Sequence, residues 1–231
     1  MIEWSGVKMK GTWDLFLIVM LYVFSVMGLG QLFRKRYSAS FTRRIIHILA
    51  SDIIIVLPLF SSIKWVILIP ATLASILTIA FIFGLPVREA MVPKGDDPLH
   101  AYGPVYYIIS IGILVGVFGI RSYIPIVATF VMAWGDGFAA LVGGRFGRIF
   151  LLENKSLEGS LAFLLFSFLG AALGYVAWAH WTSQPVSGFL GIAFLSSLIG
   201  TVLELFSIGK LKPFDNFTVP LGVAFALHIL H

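Results

Sequence analysis

The chain has no cysteine among its 231 residues. Disulfides, thiolate zinc sites and thiol chemistry are therefore excluded. Charge is also scarce: Asp, Glu, Lys and Arg make up 12% of the residues, about half the share of a soluble domain. Polar segments are only loop-length, so no separate soluble domain fits beside the apolar bulk. There is no basic tail, low-complexity tract or internal repeat. The net charge of +5 thus gives little reason to expect nucleic acid. In a membrane protein, the same excess fits orientation and anionic headgroups.

What fills the chain instead is hydrocarbon, at 59% hydrophobic residues. Several apolar runs exceed the roughly 18 residues that suggest a membrane helix. The reading is an all-α, multi-pass bundle forming a single integral membrane domain over residues 1–231. Helices are expected near 13–33, 45–60, 65–85, 104–120, 123–142, 161–181, 186–206 and 217–231. The second and last are short for a hydrocarbon core of about 30 Å, so seven or eight are expected to be membrane helices. The first run is too long for the apolar part of a signal peptide, and no small-residue cleavage site follows it.

Basic residues set the expected orientation. Arg34, Lys35, Arg36, Arg43, Arg44, Arg88, Lys94, Arg145, Arg148, Lys155, Lys210 and Lys212 fall on one side. Lys8, Lys10, Lys64 and Arg121 fall on the other. The positive-inside rule makes the richer side cytoplasmic. Acids gather there too, with only Glu3 and Asp14 clearly outside. Acids contribute little to orientation, so their clustering needs another cause. That cause is either a cytoplasmic site for metal and phosphate, or pairing with the local bases.

The most informative stretch runs from Gly135 to Ser160, which combines acids, bases and glycines. Asp136 sits inside an apolar run, where an acid at helix centre costs about 2.5–3.5 kcal/mol. It is either a magnesium ligand or a structural partner for an arginine such as Arg145. Ala139 or Ala140, with Gly143, shares its helix face. Small residues there allow either close helix packing or approach of a nucleotide. Gly143, Gly144 and Gly147 match neither common phosphate-loop spacing. Asn154 or Ser156 can cap the next helix, with Glu158 in its first turn. Lys155 at that helix start is placed to hold a phosphate. Glu158 can complete a metal site with Asp136.

Earlier in the chain, Arg43, Arg44 and His47 share a helix face and form an anion clamp or an interfacial anchor. Asp52 lies deeper on that helix, as an orienting group or a simple partner. Tyr102, Tyr106 and Tyr107 belong to an aromatic girdle or line a substrate path. Glu204, Asp215 and Asn216 return to the same side as further metal or substrate ligands, with helix capping as the alternative.

Together these residues resemble the CTP-dependent polyprenol kinase family: dolichol kinases, phytol kinases and CTP-dependent diacylglycerol kinases. The resemblance runs from about Arg43 to Pro220 in five ordered pieces. These are Arg43-Arg44-Ile45-Ile46-His47, Tyr102 to Tyr107, Asp136 to Gly147, Asn154 to Gly159, and Asp215 to Pro220. Asn154 and Ser156 stand where the family has Lys and Thr. The resemblance implies transfer of the γ-phosphate of CTP to a membrane lipid alcohol of the dolichol, phytol or geranylgeraniol type. It also implies Mg²⁺, held by Asp136 and Glu158, with Glu204 or Asp215 binding a further metal. Lys155, Arg43, Arg44 and Arg145 would meet phosphates, and Ala139, Gly143, Gly147 and Gly159 would line the nucleotide. His47, Glu204 or Asp215 would take the hydroxyl proton, and Tyr102, Tyr106 and Asn216 would contact the acceptor. Two other classes remain open. One is a CDP-lipid-forming cytidylyltransferase; the other is a small transporter, which the one-sided charge and missing repeat disfavour.

Overall fold

The computed structural model describes residues 3–4, 7–8, 12–92, 98–153 and 155–230. The expected loop charges Lys94, Asp96 and Asp97, and the capping candidate Asn154, lie outside them. The described chain is almost entirely helical. It begins with a two-residue hairpin, β1 (Glu3–Trp4) and β2 (Val7–Lys8). Helix α1 (Thr12–Phe33) follows, then α2 (Ala39–Asp52), which continues as a 3-10 segment, Ile53–Leu59. Next come α3 (Ile63–Ile82), the short α4 (Pro86–Met91) and α5 (Pro98–Ala101), and α6 (Gly103–Phe118). Helix α7 (Ile124–Phe146) leads through the antiparallel hairpin β3 (Phe150–Leu152) and β4 (Lys155–Ser156) into α8 (Leu157–Thr182). Helix α9 (Phe189–Phe206), a 3-10 turn at Gly209–Phe214 and α10 (Asp215–Leu230) complete it.

Six of these helices are long and apolar enough to cross a membrane, and α6 is a shorter apolar one. This is a multi-pass membrane protein. Each of the eight expected helical segments has a counterpart, but the second differs in extent. It starts at Ala39 rather than 45, because Ser38 caps it and accepts a hydrogen bond from Phe41 N at 3.2 Å. It tightens to 3-10 geometry after Asp52, with Pro58 inside the tightened stretch and unable to donate a helical hydrogen bond. Arg43, Arg44 and His47 therefore sit in mid-helix rather than opening it.

Helix α7 is the axis of the bundle. From Ile124 to Ala133 every residue is buried, and Ile126, Val127, Ala128, Val131, Met132 and Ala133 have no exposure at all. A helix buried on all sides must have neighbours all round. Here these are α2, α6, α8, α9 and α10. Its closest partner is α8, and small residues allow the approach. A Cβ built on Gly174 would stand 2.9 Å from Phe130 and 3.0 Å from Ile126. Gly135 and Gly200 likewise face Phe163 and Val131 without room for a side chain.

The ends that carry the sequence motifs meet at one end of the bundle. Gln31 Nε2 donates to Pro86 O at 3.2 Å, and Arg34 pairs with Glu89, joining α1 to α4. Gly209 N donates to Glu153 Oε2 at 3.4 Å, joining the approach to α10 to the β3–β4 hairpin. Gly174→Leu is expected to force Phe130 and Ile126 apart at about 1–3 kcal/mol. A lower melting temperature in detergent, with the residues at that end untouched, checks this.

Candidate active site

Three helices each bring one carboxylate to the same point. Asp136 lies on α7, Glu204 near the end of α9, and Asp215 at the start of α10. One oxygen from each lies within 4.8 Å of the others. Glu204 and Asp215 are buried and Asp136 is half-buried. Glu204 Oε1 pairs with Lys155 Nζ, which reaches in from the β3–β4 hairpin. Its other oxygen, Oε2, is buried with no hydrogen-bond partner among the described residues. Asp215 Oδ1 accepts from Asn216 N at 2.6 Å and from Asn216 Nδ2 at 2.8 Å. Burial on its own would lower the Lys155 pKa. Attraction to Glu204, with smaller contributions from Asp136 and Asp215, outweighs burial and holds the ammonium above its ordinary value.

A hard divalent cation fits this donor set. All three ligands are carboxylate oxygens, as Mg²⁺ prefers, and a buried oxygen of Glu204 stands ready without a partner.

Opposite the acids, α2 supplies the cations. Arg43, Arg44 and His47 line one cavity together with Asp136, Asp215 and Asn216. Arg44 Nη1 is fixed by Ser40 Oγ at 2.6 Å. The Arg43 guanidinium lies over Gly103, where a Cβ would come within 2.5 Å of Nη2 and 3.1 Å of Asn216 Nδ2. The glycine between Tyr102 and Pro104 thus has a steric role: it leaves space for Arg43. The His47 ring packs 4.2 Å from that of Tyr107, and its Nε2 is buried without a partner among the described residues. The Tyr107 hydroxyl lies 3.0 Å from Ser51 Oγ and 3.2 Å from the Thr129 carbonyl.

The cavity has a volume of about 270 Å³. Its charged residues are confined to the end just described. The rest of its wall comes from apolar side chains of α1, the Ile53–Leu59 segment, α3 and α6. It is one continuous space with a polar end and an apolar limb.

Several expected residues lie elsewhere. Glu158 is not in the carboxylate group. Its Oε2 accepts from Arg148 N at 3.1 Å and Ile149 N at 3.4 Å, closing the link between α7 and the hairpin. It starts α8 level with Gly143, seven residues beyond Asp136, or about 10 Å along α7. Gly143, Gly159 and Ala139 are used in helix packing. A Cβ on Gly143 would lie 3.2 Å from Gly159 Cα, and one on Gly159 would lie 3.3 Å from Ala139 O. Gly147 is pressed against Ser156, whose hydroxyl caps α8 by accepting from Gly159 N at 3.1 Å. Arg145 is exposed, with its guanidinium 5.4 Å from the centre of the Phe146 ring.

Of the tyrosines, Tyr102 packs on Phe81 and Tyr106 stacks on Phe214. Tyr107 is the one that lines the cavity, whereas the acceptor contacts were expected from Tyr102 and Tyr106. Helical phase carries the signal: Pro104, Tyr107, Ile108 and Ile111 share one face of α6. The same phase puts Ala140, rather than Ala139, beside Asp136 on the cavity wall. Asp52 accepts from Trp134 Nε1 at 2.8 Å, so its fixed partner is an indole.

The chain is similar to a phytol kinase of Synechocystis sp., with 36% identity covering 80% of this chain and 77% of that protein. It is 32% identical to a probable chloroplastic phytol kinase of Triticum aestivum, over 85% of this chain and 69% of the relative. A probable phytol kinase 1 of Oryza sativa subsp. japonica is 30% identical, over 87% and 68% of the two chains. No family model and no solved structure matches. The motifs that meet at the polar end of the cavity thus occur in a chain with extended similarity to these proteins, and the chain belongs to the polyprenol and phytol kinase family.

Proposed function

We propose that this protein is a lipid kinase that transfers the γ-phosphoryl group of CTP to the hydroxyl of an isoprenoid alcohol of the phytol type. The products are the lipid monophosphate and CDP. The observation that carries this reading is the two-ended cavity: acids and arginines at one end, only hydrocarbon beyond. Such a space suits a reaction between a charged donor and a greasy acceptor. The names of the relatives supply the acceptor class, and the family resemblance supplies CTP.

Phosphoryl transfer needs positioning and charge neutralisation more than covalent help. Asp136, Glu204 and Asp215 would hold Mg²⁺ on the donor phosphates. Bound there, the ion would neutralise charge on the transferring group. Arg43 and Arg44 neutralise phosphate oxygens from the opposite wall. Lys155, paired with Glu204 Oε1, holds that carboxylate in orientation. His47 Nε2 accepts the proton of the acceptor hydroxyl as the new bond to phosphorus forms and the bond to the β-phosphate oxygen breaks. The Tyr107 ring packs on the imidazole and is itself fixed through its hydroxyl to Ser51 Oγ, which holds His47 in place. The positive-inside rule, applied to the basic loops of the sequence, supports a donor site on the cytoplasmic side.

The direct test uses CTP labelled on its γ-phosphate, Mg²⁺ and phytol with purified protein in detergent. Label in a lipid monophosphate, with CDP formed, is expected. Label in pyrophosphate, with CMP carried onto lipid, would instead make the protein a cytidylyltransferase. Asp136→Asn and Glu204→Gln are each expected to lower turnover by about a hundredfold or more; the melting temperature is expected to hold in Asp136→Asn and to fall in Glu204→Gln, which leaves Lys155 unpaired. Unchanged turnover in both variants would remove the carboxylate cluster from the mechanism. Gly103→Ala displaces the Arg43 guanidinium, a flexible group, so stability is expected to change by less than about 0.5 kcal/mol. Its KM for CTP is expected to rise several-fold, measured with the lipid saturating.

A further inference from the structure

The apolar limb of the cavity has a measurable depth and a closed end. On α6 its wall is formed by Pro104, Tyr107, Ile108, Ile111 and Val115. These fall on one helix face over eleven residues, or about 16 Å at 1.5 Å per residue. That is about half of a 30 Å hydrocarbon core, the depth of one leaflet. At the far end stand Val115, Leu57, Phe60 and Val66, all buried. Behind them, Phe16 and Trp65 pack at 5.7 Å, and Trp13 meets Trp65 at 4.9 Å. Among the described residues, no charged side chain lines this limb beyond His47 and Asp136. Protein interiors pack to crystal-like density, and an empty apolar space of this size is costly. The wall chemistry admits only a hydrocarbon occupant.

We propose that this limb is the binding site for the acceptor's hydrocarbon chain, and that Val115 and Phe60 end it and so set an upper limit on chain length. This rests on the kinase reading above and goes further by naming where the lipid chain lies and what limits it. The hydroxyl sits at the His47 and Asp136 end, and the tail runs along the α6 face toward Val115. A single branched chain of one leaflet's length fits. A dolichol, far longer, has no room beyond the closed end.

The test is a series of acceptors — geraniol, farnesol, phytol and dolichol — compared by kcat/KM for CTP-dependent phosphorylation. In the unaltered protein the values are expected to rise from geraniol to phytol and to fall for dolichol by at least about tenfold. Val115→Phe shortens the limb. It is expected to lower kcat/KM for phytol by about tenfold or more while leaving geraniol within about twofold. Turnover of geraniol also reports that the variant is folded. If the unaltered protein phosphorylates none of the alcohols, the kinase reading itself fails. If it phosphorylates phytol and dolichol equally, or Val115→Phe leaves the profile of the series unchanged, only the chain-length site is overturned. Should Val115→Phe lose geraniol as well, Phe60→Ala decides. A shift of the optimum toward longer alcohols upholds the site, and an unchanged optimum removes it.

Discussion

Three carboxylates share one small volume inside a bundle solvated largely by lipid, and much of the local structure answers that constraint. Like charges this close repel strongly where the dielectric is low, and removing one counter-charge from a buried pair is costly. The fold meets them with cations from two directions. Lys155 reaches in from the hairpin between α7 and α8, while Arg43 and Arg44 face them from α2. The hairpin is held in turn by Glu158, which ties down the backbone at Arg148 and Ile149. It folds tightly against α7 because Gly143 and Gly159 have no side chains to separate them. Residues distant from the acids thus act on them through the placement of one lysine.

The second organising feature is the join between two environments within one cavity. Helix α2 carries charge in its middle turns and apolar residues such as Ile46 and Ile48 on its buried face. It can therefore form the wall where polar chemistry gives way to hydrocarbon. Beyond Asp52 the chain tightens and becomes fully apolar, so the same strand of sequence continues from the charged end into the greasy limb. The axial helix α7 does something similar in reverse: apolar through Ala133 but for Thr129, it presents Asp136 and Ala140 to the cavity only in its later turns.

Much of this was legible in the sequence. Lipid-facing runs need no pattern finer than length and apolarity, so the bundle could be read directly. Asp136 stood out because an acid inside an apolar run needs a reason. The ends of α9 and α10 offered Glu204 and Asp215 on the same side. Which acids would converge was not legible, because that depends on how helices pack. Glu158 looked equivalent to Glu204 by composition, yet the Gly143–Gly159 contact sets α8 level with a turn of α7 well past Asp136. The choice of Tyr107 over Tyr102 and Tyr106 depended on helical phase, which the motif alone did not use. The start of α2 was available in Ser38, a good cap standing ahead of the expected boundary. The apolar limb left no trace in the sequence, since in membrane helices a cavity wall and a lipid-facing wall have the same composition.

The site draws on α2, α7, α9 and α10, whose contributing residues are spread over most of the chain. During synthesis from the ribosome, α7 must enter the bilayer with Asp136 long before Asp215 has been made. Glu204 and Lys155 can pair as soon as α9 follows α8, which neutralises one acid early. The third carboxylate and Asn216 arrive only with α10. Catalytic competence is thus tied to completion of insertion: a nascent chain halted before α10 would hold an acid and two arginines in the membrane without the geometry that makes them useful.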